Sequence, residues 1–178
     1  MPDDVASPPK TSVPVWDSIP PPLPRATEYT IFSVGSVDGA TAREWSAQLS
    51  EAGVPHDIVT MDGEQLSGWV DIGWGYFVDL ARDKCVGWRV AAAGDEVGVL
   101  GVLAAARHVG LIDAEVTVFA ETRRHRRVYC AHCKATTMTG QPPGGHLPCR
   151  GCDRFLQVRP HVSRSTGTYL GVGEPTPA

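Results

Sequence analysis

The sequence lacks the segments that direct a chain to a membrane or across one. It has no apolar core of a secretory signal peptide, and no run of about 18 apolar residues long enough to span a bilayer. We therefore expect a cytoplasmic protein whose thiols stay reduced. This expectation favours metal binding over disulfide formation for any cysteines that cluster.

Glycine-rich loops that bind phosphate are also missing. The first predicted strand is followed by Gly35 and Gly39, whose spacing does not form GxGxxG, and GxxxxGK[ST] occurs nowhere. Residues 88–119 resemble the last strand–helix–strand unit of the nicotinamide domain in ferredoxin-reductase-like flavoenzymes. That family generally has Cys-Gly before the helix, whereas Ala93 and Gly94 stand here. We therefore expect no nicotinamide binding.

No set of residues typical of an active site stands out. The sequence shows neither a Ser-His-Asp or Cys-His arrangement nor a pair of carboxylates, so we expect no catalytic and no organic-cofactor-binding residues. Cys85 lies in an apolar context and is predicted to be a small buried residue rather than a nucleophile. His132 and His146 are alternative metal ligands only if one of the clustered cysteines is not used.

What the sequence does contain is two CxxC pairs. Cys130 and Cys133 form the first pair, Cys149 and Cys152 form the second, and fifteen residues separate them. Each pair is typical of a tight knuckle that points two sulfurs at one ion, and the glycines and prolines between them allow the chain to turn back. We expect a closed, structural Zn²⁺ site. Iron in a rubredoxin-like site stays open as the alternative, because four sulfurs do not choose the metal.

Charge is distributed unevenly along the chain. The stretch from Glu121 to Arg164 holds nine Lys/Arg and two Asp/Glu, a balance of +7, and the remainder holds seven and eighteen, a balance of −11. This asymmetry indicates a charged partner, or a contact between the two parts of the same chain. Arg-rich zinc ribbons often bind nucleic acid, but few aromatic residues accompany the basic ones here and the acidic remainder opposes a polyanion.

The chain divides into four parts. Residues 1–26 are a proline-rich tail, which we expect to be disordered or to wrap a partner. Residues 27–122 show strands alternating with helices, which predicts a small three-layer α/β domain with a parallel sheet. We expect residues 123–172 to form a rubredoxin-like zinc ribbon and residues 173–178 to be a disordered end.

Four strands and three helices are predicted within the α/β domain. The strands are Tyr29–Val34, His56–Met61, Trp88–Ala93 and Ala114–Ala120. The helices are Thr41–Ala52, Gly73–Val86 and a third that begins at Gly94 and ends near Val109. The predicted buried faces are Ala42, Trp45, Leu49 and Ala52 in the first helix, and Phe77, Leu80, Ala81 and Val86 in the second. Asp95 and Glu96 place two carboxylates in the first turn of the third helix, where they suit its dipole.

The ribbon residues resemble a known family. The likeness is carried by Val128-Tyr-Cys130-Ala-His-Cys133-Lys, Leu147-Pro-Cys149-Arg-Gly-Cys152, His161-Val-Ser163-Arg164 and Gly167-x-Tyr169-Leu-Gly171. These stretches resemble the C-terminal domain of the small subunit of bacterial dimethylamine monooxygenase, and the α/β unit from about residue 85 is similar too. Ser165 departs from the pattern, in which a second basic residue follows the Ser-Arg pair.

The resemblance implies a place in a multi-subunit oxygenase that converts dimethylamine to methylamine and formaldehyde with O2 and NAD(P)H. In that family a separate subunit carries haem, and a reductase subunit carries FMN and a 2Fe-2S cluster. The small subunit has no assigned catalytic residue, so what transfers to this chain is the metal set Cys130, Cys133, Cys149 and Cys152. The expected function is a zinc-binding subunit of a monooxygenase, with no membrane partner and no catalytic residues of its own, that stabilises assembly and electron-transfer geometry.

Two other functions stay open. A zinc-ribbon protein that binds nucleic acid would show a steep dependence of binding on salt. A rubredoxin-like electron carrier would be red as purified and would bleach on reduction.

Overall fold

The structure, a computed structural model, describes residues 11–22, 25–35, 38–61 and 75–173. Within these segments nine β-strands form two sheets. The first sheet contains β1 (Glu28–Val34), β2 (His56–Met61), β3 (Trp88–Asp95) and β4 (Val116–Thr122). Its order is β2-β1-β3-β4 and every pairing is parallel, with Ile31 opposite both Ile58 and Ala91. The predicted parallel α/β sheet is confirmed.

Helices cover both faces of this first sheet. Helix α1 (Ala40–Glu51) buries Trp45 and Leu49 against Tyr29 and Ile31 of β1. Helix α2, whose described residues are 75–82, and helix α3 (Glu96–His108) pack on the opposite face. Because side chains alternate along β1, its two sets of apolar residues enter two separate clusters, which gives the predicted three layers.

The end of the second helix differs from the prediction. Phe77 is buried, and Leu80 and Ala81 pack on the core as expected, but the helix stops at residue 82. Val86 is 97% exposed and Cys85 is exposed, so both were wrongly predicted to be buried. These residues lie in the turn that enters β3, in which the Trp88 amide donates to the Cys85 carbonyl at 3.0 Å. The predicted residues 73 and 74 lie outside the described part.

The second sheet is the ribbon sheet, with strand order β6-β5-β9-β8-β7. Its strands are β5 (Arg126–Cys130), β6 (Thr136–Thr139), β7 (His146–Pro148), β8 (Phe155–Ser163) and β9 (Thr168–Gly173). Strands β5 and β9 are parallel, and the other pairs are antiparallel. The register of β8 against β9 shifts between Val158 and Val162, where the strand bulges.

Helix α3 lies between the two sheets, which explains why it is buried on all sides from Glu96 to Ala106. Leu100 of this helix belongs to one apolar cluster with Val90 of the first sheet and Val158 of the ribbon sheet. The contact is tight, because a Cβ atom added to Gly167 (φ 62°) would lie 2.5 Å from the Leu100 carbonyl oxygen. The ribbon and the α/β layers therefore share a continuous core.

Residues 11–22, here called the strap, lie along this core. The Val162 amide of β8 donates to Ser12 Oγ at 2.8 Å, and the Trp45 indole of α1 donates to the Pro20 carbonyl at 2.8 Å. Trp16 between them is only 8% exposed. The sequence predicted disorder or a partner for this tail; in the structure, its described residues contact elements of the same chain. Residues 1–10 lie outside the described part.

Candidate metal centre

The first cysteine knuckle follows strand β5. The Cys130 amide donates to the Ala135 carbonyl at 2.8 Å, and the Lys134 amide donates back to the Cys130 carbonyl at 3.0 Å. Lys134 closes the turn in the left-handed region, with φ 70°. These bonds fold the chain sharply enough to bring the thiols of Cys130 and Cys133 to the same side.

The second knuckle repeats the first one bond for bond. The Cys149 amide donates to the Arg154 carbonyl at 2.9 Å, and the Asp153 amide donates to the Cys149 carbonyl at 2.9 Å. Asp153 is left-handed, with φ 55°. The turn packs closely on the first knuckle, since a Cβ on Gly151 would lie 2.7 Å from the Ala135 Cβ and 3.1 Å from the Cys133 sulfur. The two CxxC motifs thus form a pseudo-symmetric pair.

The two knuckles bring all four sulfur atoms together. The sulfurs of Cys130, Cys133, Cys149 and Cys152 all lie within 4.8 Å of one another. The Cys130–Cys152 distance is 4.0 Å and the Cys133–Cys149 distance is 3.4 Å. A tetrahedral ion with Zn–S bonds of about 2.3 Å needs sulfurs about 3.8 Å apart, whereas a disulfide needs about 2.05 Å. The arrangement therefore fits a four-sulfur metal site and does not fit disulfides.

When no ion is bound, Cys149 and Cys133 differ in how readily their thiols lose a proton. Burial raises the pKa of the Cys149 thiol, but the Gly151 amide, which lies 3.4 Å from its sulfur, and the neighbouring thiols outweigh burial and lower the pKa to about 6. The backbone of Ala135 lowers the pKa of Cys133, but burial and its three neighbouring thiols raise it to about 12. Thiols bind a metal only after they lose their protons, so a bound dication would displace the protons of the cysteines in this cluster.

The histidines near the cysteines take no part in the cluster. Among the described residues, the side chains close enough together to bind one metal ion are the four cysteines, and no histidine or carboxylate joins them. His132 is exposed within the first knuckle, and His146 is exposed on β7. Cys130 and Cys149 are buried while Cys133 and Cys152 are half-buried, so the site faces solvent on one side.

A second cluster, which sequence reasoning missed, joins the ribbon to the α/β layers. Glu96, at the start of α3, is 1% exposed and accepts from the Trp16 indole at 3.2 Å and the Tyr169 hydroxyl at 3.0 Å. Its other oxygen lies 3.2 Å from Arg126 Nε, and both of these side chains are buried. Burial, and then the charge of Glu96, raise the pKa of Tyr169 to about 12. The sequence showed Glu96 only as a carboxylate that suits a helix dipole.

Further contacts between polar side chains cross the same boundary. His125 lies 3.6 Å from Asp95, and Arg164 lies 3.0 Å from Asp113. The Arg126–Glu96 and Arg164–Asp113 pairs match cations of the ribbon to carboxylates of the α/β layers. Part of the charge asymmetry in the sequence is thus used inside the chain itself, and Arg126 and Arg127 of the basic run are buried.

The crevice in which such a sheet usually binds a ligand carries the chain's own carboxylates. In this strand order it lies at the carboxyl ends of β1 and β3. Glu121 accepts from the Thr41 amide at 3.1 Å at the start of α1, and Asp95 accepts from the Val97 amide at 3.2 Å at the start of α3. These carboxylates would repel phosphate from the N-terminal ends of both α1 and α3, which argues against nucleotide binding.

The structure also brings together a serine and a histidine that the sequence did not single out. Ser46 Oγ of α1 lies 2.8 Å from His56 Nε2 of β2, and His56 Nδ1 lies 2.9 Å from the Val54 carbonyl. Ser46 lies in the middle of a helix, where the neighbouring backbone amides are already bonded within the helix and cannot stabilise an oxyanion. The pair ties the helix to the strand.

Comparison with known proteins agrees with this site. The profile of the family described as "Dimethylamine monooxygenase subunit DmmA-like, C-terminal domain" matches residues 127–172, which contain both knuckles. Over 154 residues the chain is 38% identical to the "Heme-dependent oxidative N-demethylase delta subunit" of Ectopseudomonas mendocina (strain ymp), covering 84% of this chain and 81% of that protein. The chain belongs to the dimethylamine monooxygenase small-subunit family. No solved structure matches it.

The family assignment confirms the resemblance carried by the cysteine knuckles and the stretches that flank them. The profile begins within β5 and ends within β9, so it covers most of the ribbon sheet. The relative is, by its name, one subunit of a haem-dependent N-demethylase. Among the described residues, no helix is long and apolar enough to cross a bilayer.

Proposed function

We propose that this chain is a non-catalytic, zinc-binding subunit of a multi-subunit monooxygenase that demethylates dimethylamine. The observation that carries the proposal is the four-sulfur cluster inside residues 127–172, the stretch that matches the family. Its partners would be a haem-containing catalytic subunit and a reductase subunit with FMN and a 2Fe-2S cluster. The complex would work in the cytoplasm, where thiols stay reduced and available to the metal.

In the proposed reaction, dimethylamine, O2, NAD(P)H and a proton give methylamine, formaldehyde, water and NAD(P)+. Haem and flavin on the partner subunits would supply the oxidation chemistry. A closed site with four protein ligands leaves no position for a substrate, so the metal of this chain would be structural. The chain would then contribute a rigid ribbon that holds the partners in place. The carboxylates at both helix ends of the α/β crevice support a role without a nucleotide of its own.

Zinc is the metal that we assign to Cys130, Cys133, Cys149 and Cys152. A closed four-thiolate site is typical of structural Zn²⁺, which would fix the two knuckles to each other and add its binding energy to folding. The same sulfurs would accept iron, as in a rubredoxin. Elemental analysis and a visible spectrum decide between the two metals: one zinc per colourless chain supports the assignment, and a red chain that bleaches on reduction contradicts it.

The role in assembly is tested by removing one ligand. Cys149→Ala, expressed in cells that oxidise dimethylamine, should lose zinc, release the partner subunits and abolish amine oxidation by the captured complex. Cys85→Ala is the matched control, because Cys85 is exposed and lies outside the four-cysteine cluster. An intact, fully active complex from the Cys149 variant would show that the metal site does not support assembly.

A further inference from the structure

One face of the ribbon sheet is partly exposed to solvent around the ends of β5, β8 and β9. The sheet's inner face carries buried residues such as Val128, Leu156 and Tyr169. Its outer face carries Tyr129 paired with Leu170, and Val172 paired with Gln157. Phe155 lies two residues before Gln157 and therefore points to the same side. We call Tyr129, Phe155, Leu170 and Val172 the open ribbon face.

The open ribbon face is apolar and partly exposed to solvent. Phe155 is 63% exposed and Val172 is 40% exposed, while Tyr129 and Leu170 are half-buried. Beside Tyr129 and Leu170, the bulge of β8 at His161 leaves a groove of about 320 Å³. Neighbouring apolar side chains next to a groove of this size are typical of interaction surfaces in proteins.

The border of this face is positively charged. Lys134 Nζ lies 5.8 Å from the centre of the Tyr129 ring, and Arg159 donates to Gln157 at 2.6 Å. Arg154, beside Phe155, is exposed as well. Unlike Arg126 and Arg164, which pair with carboxylates of the α/β layers, Lys134, Arg154 and Arg159 have no carboxylate partner among the described residues. Between residues 126 and 173 the chain has a single acidic residue, Asp153, so little internal charge balances them.

We propose that the open ribbon face docks onto a partner subunit of the oxygenase, which presents an apolar patch bordered by carboxylates. This inference rests on the proposed function, which makes the chain a subunit. Opposite charges at the border would raise the rate of encounter, and the apolar centre would hold the complex once formed. Aliphatic Leu170 and Val172 at the centre favour a protein over nucleic acid, whose bases stack on aromatic rings.

The test uses the zinc-loaded full chain, labelled with a fluorophore, and the purified haem-containing and reductase subunits. Phe155→Glu should weaken binding of one of these subunits at least about tenfold, because Phe155 is the most exposed apolar side chain of the face and a charge there would have to be buried. Arg159→Glu should weaken binding of the same subunit and reduce its salt dependence. Val86→Glu is the matched control, since Val86 is 97% exposed on a different surface, and its binding should not change. Zinc content and melting temperature verify that each variant is folded.

The outcomes separate the two proposals. If the wild-type chain binds neither subunit, the proposed function fails and takes this inference with it. If the wild-type chain binds and Phe155→Glu binds equally well, the docking surface is wrong while the proposed function stands. If the two ribbon variants instead lose salt-dependent binding to a labelled single-stranded oligonucleotide, with subunit binding intact, the open ribbon face is a nucleic-acid surface and the inference is overturned.

Discussion

Replacing Glu96 by glutamine should destabilise the folded chain by about 3–5 kcal/mol, the cost of breaking a buried ion pair by removing one partner. Glu96 lies where strap, ribbon and α3 meet, and its Oε2 is 3.2 Å from Arg126 Nε. Glutamine keeps the size of the side chain and an oxygen that can accept from Trp16 and Tyr169. The substitution therefore tests the charge more than the packing or these two hydrogen bonds.

The magnitude follows from burial. The side chains of Glu96 and Arg126 are 2% and 8% exposed, so water cannot replace the missing carboxylate beside the guanidinium. A typical domain is stable by about 5–15 kcal/mol, so a loss of this size would remove a large share of the total. The ribbon would be affected together with the α/β layers, because the two share one core.

Urea unfolding of the zinc-loaded chain, followed by tryptophan fluorescence and circular dichroism, measures the effect. We expect a lower midpoint with an unchanged dependence on urea. Glu51→Gln, at the exposed end of α1, is the control and should stay within about 0.5 kcal/mol of the wild type. Adding Arg126→Met to Glu96→Gln should recover part of the loss, because neither buried charge is then left alone.

Two results would refute this reasoning. A loss below about 1 kcal/mol for Glu96→Gln would show that the carboxylate contributes little beyond its shape. A double variant whose loss equals the sum of the two single losses would show that Glu96 and Arg126 do not interact energetically.

Three further predictions follow from the metal site and its surroundings. Zinc affinity, measured by competition with a chelator, should fall at least about tenfold for each pH unit between about pH 8 and pH 6. The reason is that Cys133, whose pKa in the free cluster is about 12, must release its proton to bind zinc. An affinity that does not depend on pH would contradict this prediction. Asp153→Val should lower the free energy of unfolding by about 1–2 kcal/mol in urea titrations, because a β-branched residue is strained at φ 55°, whereas Asp153→Gly should be tolerated. Tyr169 should ionise with a pKa of about 12 in an absorbance titration at alkaline pH, and Tyr169→Phe should remove that step. Because the pKa of Tyr169 is higher in the folded chain than in the unfolded chain, the neutral hydroxyl stabilises the fold below about pH 10, and this contribution is lost as the pH rises towards 12.

The sequence was most informative where the relevant interactions are local. The apolar spacing of α1 correctly predicted that Ala42, Trp45 and Leu49 are buried, because helical periodicity is a property of neighbouring residues. Each CxxC knuckle closes within six residues, so the sequence predicted each pair of sulfurs for the same reason. The meeting of the two pairs followed from the chemistry of metal binding, which needs four ligands, and not from local spacing. Ala52 was wrongly included in the buried face: the helix ends at Glu51 and the following turn leaves Ala52 exposed.

The features that were missed depend on contacts between distant parts of the chain. Trp16 and Glu96 are 80 residues apart, and Tyr169 is a further 73 residues along, so no local pattern could predict their bond. The second helix was predicted four residues too long, since its last apolar residue, Val86, belongs to a turn rather than to the core. Exposure of Cys85 follows from the same early helix end.

The place of this chain in an oxygenase is tested most directly by the visible spectrum of the complex captured with a tagged full-length chain from its native cell, grown on a methylated amine. We expect haem and flavin absorption in fixed proportion to the tagged chain. A captured chain without haem or flavin absorption would contradict the proposed role in the complex.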